Sequence, residues 1–371
     1  MRIRVVFTTA CAFASLAIGP SLAQEAEPAE DGRLSKLSVH GFLSQAYAKT
    51  DGVTLFGIPE EGTTDYRTAA LQFRYAMTSD DDFVVQFNHL RLGRSVFQPV
   101  IPDVDVDWIF YQHRFSDRLA LRAGKILIPL GVYNEVRDVG TLLPFYAPPD
   151  AVYPYVGFVP ETVTGLAVAG RLGSGPWSLD ADLYGGEWEF LQLQPTDFTA
   201  NARKGVGAQV WLNTPVSGLR FGVRGNRADL AEAVTALPGT ILDFTQLMVS
   251  AEGKLGPVKL VAEHLETKIG GSDYSGYYGQ LSWSATDKLG VHLRHSHANF
   301  LLDLRQRPNG FVIDLPFTRE NALSLSYAFQ PNVVAKVEYH QFEGYSYAGE
   351  IPLTGRPGEV NYGIASVSTS F

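Results

Sequence analysis

The side chains in this 371-residue chain that are suited to chemistry are spread over short alternating segments, not gathered into one motif. The densest cluster is His292-Leu293-Arg294-His295-Ser296-His297. On a strand, His295 and His297 share one face and His292 takes the other, which makes a weak site for zinc, an ion that usually needs three or four ligands. Ser296 and its neighbouring histidines likewise face opposite sides, so a nucleophile-base pair is excluded there. Asp103, Asp105 and Asp107 repeat at period two and have the composition of a cation-collecting rim. Trp108 stands where a calcium loop needs glycine, and a solvated acidic rim is the better reading. The stretch GRLGSGPW at 170–177 lacks the Lys and Ser/Thr of a phosphate loop and reads as a hairpin. No catalytic residue, metal site or cofactor is expected.

More informative are charges whose strand parity aims them away from the apolar face. Arg74, Arg91 and Arg122 fall on predicted second, third and fifth strands, and Arg220, Arg224 and Arg294 alternate with apolar residues on later ones. Opposite them, one long break carries Glu135, Asp138 and Asp150 with Arg137. Carboxylates on a loop facing arginines on a wall would set a transverse field across an aqueous path and weight one ion sign over the other.

The elements that hold these residues are strands. From Leu37 onward the chain repeats runs of 10 to 14 residues with period-two alternation, separated by alternately short and long breaks. Leu71, Phe73 and Tyr75 alternate with Gln72 and Arg74; Leu219, Phe221 and Val223 with Arg220 and Arg224; Leu289, Val291 and Leu293 with His292 and Arg294. Leu323, Leu325, Tyr327 and Phe329 alternate with Ser324, Ser326 and Ala328. The short breaks, such as Ser79 to Asp82, Gly256-Pro257 and Gln330 to Asn332, are turn chemistry. Seven short and eight long breaks predict about sixteen strands, with short turns on the periplasmic side and long loops outside. The fold class is thus all-β, a transmembrane antiparallel barrel of about sixteen strands. Trp108, Phe110, Trp177, Tyr184, Trp211, Trp283, Tyr327 and Tyr339 are read as an interfacial girdle.

Composition agrees. Arg2 and Arg4, an apolar stretch and Ser21-Leu22-Ala23 have the layout of a cleaved export signal over 1–23, followed by a flexible lead-in over 24–36 and the barrel over 37–371. The sole cysteine, Cys11, lies in the signal, so no disulfide supports the exported chain. The net charge of −9 becomes −11 once Arg2 and Arg4 are removed, which argues against a nucleic-acid partner. A mean hydropathy of −0.02 suits a barrel whose lipid-facing and lumen-facing residues alternate.

The last strand, Glu359 to Phe371, ends on phenylalanine. With the first strand SVHGFLSQAYAKT, the strand number and the long third break, it resembles the Gram-negative outer-membrane porins; GKILIPLGVYNEVRD at 124–138 is similar to phosphate-selective barrels of that group. The resemblance implies a third loop, Pro129 to Pro160, that folds inward and constricts the pore. Glu135, Asp138, Arg74, Arg91 and Arg122 would then form the constriction, and Arg220, Arg224 and Arg294 the pore lining. It also implies passive diffusion of small hydrophilic solutes and ions through a homotrimer seated in outer-membrane lipid, without enzymatic activity. A substrate-specific channel for phosphate or organic anions and a closed structural or adhesive barrel remain as alternatives.

Overall fold

The computed structural model describes residues 36–154, 159–173, 175–189, 201–231, 241–269, 272–303, 312–344 and 358–371. The expected signal and nearly all of the lead-in lie outside them. The chain forms β1 (Leu37–Thr50), β2 (Thr63–Ala76), β3 (Asp81–Leu92), β4 (Asp105–Ser116), β5 (Leu119–Leu127), β6 (Thr162–Leu172), β7 (Ser178–Glu189) and β8 (Asn201–Asn213). It continues with β9 (Arg220–Ala231), β10 (Ile241–Leu255), β11 (Val258–Ile269), β12 (Ser272–Ser284), β13 (Leu289–Asp303), β14 (Val312–Gln330), β15 (Val333–Gly344) and β16 (Gly358–Ser370). Each strand pairs antiparallel with its sequence neighbours, and β1 pairs with β16 to close a sixteen-stranded barrel. Closure leaves no sheet edge, which is how a sheet crosses a membrane without unpaired backbone groups. No described helix is long and apolar enough to cross one.

The alternation read from the sequence sorts the two faces. Leu71, Phe221, Val223, Leu293, Leu323 and Leu325 are exposed on the outside, whereas Gln72, Arg224, Arg294 and Ser324 are buried within. An apolar band outside and a polar set inside is the inverse of a soluble barrel and fits lipid around water.

The aromatic girdle is corrected in half its members. Trp177, Trp283, Tyr327 and Tyr339 are exposed on the outer surface, but Trp108, Phe110, Tyr184 and Trp211 are buried inside. Part of the lumen is therefore a packed core, and rings that serve it are indistinguishable by type from rings that serve the lipid boundary. A bulge between Gln86 and Phe87, opposite Val106 to Trp108, also breaks the aspartate row. Asp107 is buried and accepts from Gln86 Nε2 at 2.7 Å, while Asp105 stays exposed.

The wall is thinnest across β5 to β7, where Gly124 pairs with Gly165 and Gly165 with Gly186. A Cβ on Gly165 would stand 2.0 Å from the Gly185 carbonyl oxygen, a backbone atom that cannot step aside. Gly165→Val is predicted to break pairing at this line and to lower the yield of folded, heat-modifiable barrel on gels, with the loss appearing before any change in channel properties.

Candidate functional site: the loop inside the barrel

Of the 34-residue break between β5 and β6, residues 128–154 cross the interior and are fastened to the wall at points from β8 round to β1. Gly131 N donates to Gln209 Oε1 on β8 (2.8 Å), and Val132 N to Glu263 Oε1 on β11 (3.0 Å). Gln280 on β12 donates to the Tyr133 hydroxyl at 2.6 Å. Farther along, the Thr141 hydroxyl meets that of Ser370 (3.1 Å), and Gly140 sits so close to Ser44 and Ser368 that a Cβ would lie 2.2 Å and 2.3 Å from their hydroxyl oxygens.

Four consecutive residues then dock through their backbone atoms, with the Phe145 ring under Arg294 and the Tyr146 ring against Tyr66. The Pro144 carbonyl accepts from Ser324 (2.8 Å), and that of Phe145 from Lys336 Nζ (2.8 Å). Tyr146 N donates to Glu338 Oε1 (2.7 Å), and the Ala147 carbonyl accepts from Arg294 Nη1 (3.0 Å). Behind this seat lies a buried polar chain. Arg294 reaches Glu320 at 3.2 Å, and His340 bridges Glu320 (3.0 Å) and Glu338 (3.1 Å) through its two ring nitrogens. Tyr362 donates to Glu320 as well. Because unpaired buried polar groups are costly, wall groups that find their partners on this backbone path favour it over others.

A second anchor is Glu263. Its carboxylate accepts from Val132 N, from the Tyr153 hydroxyl, from Tyr278 (2.6 Å) and from Ser250 (2.5 Å). Replacing it with Ala orphans the Tyr153, Tyr278 and Ser250 hydroxyls at about 1–3 kcal/mol each where water does not reach, while Val132 N keeps the Tyr153 hydroxyl at 2.9 Å. Glu263→Ala is predicted to free the loop: protease cuts within 131–153 in the folded barrel, and single-channel current becomes noisy. Glu263→Gln, which keeps an acceptor, shows a smaller effect. At the root of the loop, Asn134 Nδ2 donates to the carbonyls of Ile128 (2.8 Å) and Glu161 (3.2 Å), and Arg137 donates to the Tyr153 (3.3 Å) and Pro154 (3.4 Å) carbonyls.

The loop's apolar residues, among them Ile128, Leu130, Tyr133, Val152 and Tyr153, share a core with inward-facing Trp108, Phe110, Tyr184, Phe244 and Tyr278. The first loop also turns in. Leu55 and Ile58 pair their backbones and are fully buried, and Phe56 packs edge-on against Phe342 at 5.5 Å.

The sequence-derived constriction residues separate into groups. Glu135, on the short 3-10 turn Asn134–Val136, lies in the field of Arg122 and Arg220 and of Asp182 on β7. Removal from bulk water inside the barrel pushes its carboxyl up to about 7, against the pull of Arg122. Asp138 is also pushed up, first by burial and then by the neighbouring Glu161 carboxylate, with Arg137 opposing. Arg122 donates to Gln112 at 2.9 Å and stands over the Phe110 ring. Arg220 stacks on Trp211 at 4.3 Å and pairs with Glu252. Arg74 is placed elsewhere, at the short-turn end, where it binds Asp82 at 2.8 Å. Arg91 does not reach the lumen: it shares the outward parity of Phe83 and Phe87 and pairs with Asp65 (2.6 Å) near the external end of β3, above the apolar band, where charge is tolerated. Arg224 is buried in the wall, donating to the Tyr184 hydroxyl (3.1 Å) and to Gln246 (3.0 Å), and Arg294 belongs to the loop seat. Sequence reasoning passed over Asp182, Glu263 and the β15 row Lys336, Glu338, His340. That row was visible as a polar set alternating with Val337 and Tyr339. Among the described residues no His/Cys/Asp/Glu group is arranged to hold a metal ion.

No family model matches the chain, and neither does any curated protein. Solved structures do. OmpF of Salmonella typhi, in complex with daunomycin, superposes with a TM-score of 0.62 at 12% identity, covering 90% of this chain and 97% of that one. An anion-selective porin from Comamonas acidovorans gives 0.54 at 10% identity over 90% and 99%. OmpT of Vibrio cholerae, in a trimer form, gives 0.52 at 11% over 90% and 99%. At such identities the likeness is one of fold: the chain folds as a closed antiparallel β-barrel similar to those of these outer-membrane proteins.

Proposed function

We propose that this protein is a passive channel through which small hydrophilic solutes and ions diffuse across the outer membrane, narrowed by its third loop. The observation that carries the reading is the loop's docking along the lumen wall, which leaves Glu135 in the field of Arg122 and Arg220. A sixteen-stranded barrel is wide enough for an aqueous path, and a loop fixed inside it sets how large a solute passes. Association into a homotrimer is part of this proposal, in keeping with the trimeric OmpT of similar fold.

Liposome swelling tests the reading. Vesicles containing the protein should swell in isotonic solutions of small neutral sugars, at rates that fall steeply with solute size. A closed structural barrel would give no swelling with any of them, and a substrate-specific channel would give rates set by solute identity.

A further inference from the structure

Three clusters of ion pairs ring the short-turn end of the lumen, and in each the acid is sunk deeper than the base. Asp82 on β3, 1% exposed, is held by Arg74 at 2.8 Å and Arg114 at 2.5 Å, whose side chains are 22% and 31% exposed. Asp180 on β7, at 7%, is held by Arg171 on β6, at 40%. Glu252 on β10, at 13%, is held by Arg220 (2.6 Å) and Lys259 (2.5 Å), at 31% and 40%. Parity turns these groups inward, since they alternate with the outward Tyr75, Phe83, Phe115, Leu172, Phe221 and Leu260. Two clusters hold two cations to one carboxylate. Arg122, between them on β5, donates to the neutral Gln112. These three clusters turn guanidinium and ammonium to the solvent, with the compensating carboxylate behind, and the carboxylates that share this half of the lumen with them are Asp182 on β7 and Glu135 on the loop, both in the field of Arg122. At the other mouth Asp103 stands exposed, and Glu61 pairs with a similarly exposed Arg94.

We propose that this basic collar binds multivalent oxyanions, of the phosphate type, entering from the periplasmic side, and so makes conduction asymmetric. Forked guanidinium donors match tetrahedral oxyanions, and a low-dielectric wall focuses the field of like charges brought together on one ring. The site rests on the channel being open, as proposed above.

The experiment uses protein purified from outer membranes in planar bilayers, with inorganic pyrophosphate as the probe. Its orientation is read from an Asp103→Cys variant closed by a bulky impermeant thiol reagent added to one side. Pyrophosphate on the periplasmic side should lower conductance by about twofold more than on the loop side. The double variant Arg114→Gln, Lys259→Gln leaves Asp82 with Arg74 and Glu252 with Arg220, so neither acid is orphaned. It should keep its conductance steps and lose the sidedness. Equal block from both sides, or sidedness that survives in the double variant, would overturn the collar. Absence of steps in the unmodified protein would overturn the channel itself, and the collar's role with it.

Discussion

Replacing residues 131–153 with a short Gly-Ser linker raises single-channel conductance severalfold and lifts the size limit for sugars. The strands stay paired, because the ladder from β1 to β16 owes nothing to the loop. What leaves is the material that fills the interior: the rings of Tyr133, Phe145, Tyr146 and Tyr153, and the backbone seated on Ser324, Lys336, Glu338 and Arg294. The wall groups left behind face a lumen wide enough to hydrate them, so they cost far less than unpaired groups in a dry core. The folded barrel should therefore remain heat-modifiable on gels. Unchanged conductance in such a barrel would mean that the narrowest point lies elsewhere.

Exchanging charges at the narrowing shifts ion preference in opposite directions. Arg122→Gln removes a cation beside the path and moves the reversal potential toward cations; Glu135→Gln moves it toward anions. A unit charge 4 Å from a passing ion is worth about 1 kcal/mol in a water-like medium, or about a fivefold change in permeability ratio. pH acts on the same groups. Burial holds the Glu135 carboxyl near 7, so it is largely neutral below that value and ionised above it. Raising pH from about 5 to about 9 thus adds negative charge to the pore and lowers the anion-to-cation permeability ratio. Asp138, also raised, adds to the effect. Glu135→Gln should blunt the titration, and Glu135→Gln with Asp138→Asn should blunt it further. Reversal potentials recorded across this range, in the unmodified protein and both variants, check the sign.

The wall was legible in the sequence because lipid and water impose opposite demands on alternate residues. Leu71 against Gln72, or Leu323 against Ser324, states which face is which, and the Gly-, Pro- and Asp-rich breaks mark the turns between strands. An inward third loop was anticipated from the resemblance to porins. Its fastening was not, since the partners lie far apart in the chain: Ala147 with Arg294, Phe145 with Lys336, Val132 with Glu263. Trp108 and Tyr184 were misplaced for a related reason, as a loop packed inside turns a polar lumen partly apolar and removes the contrast that parity depends on. Arg91 shows a further limit. Beyond the apolar band the outer face also accepts charge, so an arginine near a strand's external end carries no sign of which side it takes.

The most direct test of a loop-narrowed aqueous channel is single-channel recording of the unmodified protein in a planar bilayer. The structure predicts discrete, long-lived steps, smaller than those of the variant with residues 131–153 replaced. A folded barrel that gives no steps, while the loop-replaced variant conducts, would show that the loop closes the lumen completely and would contradict a diffusion channel.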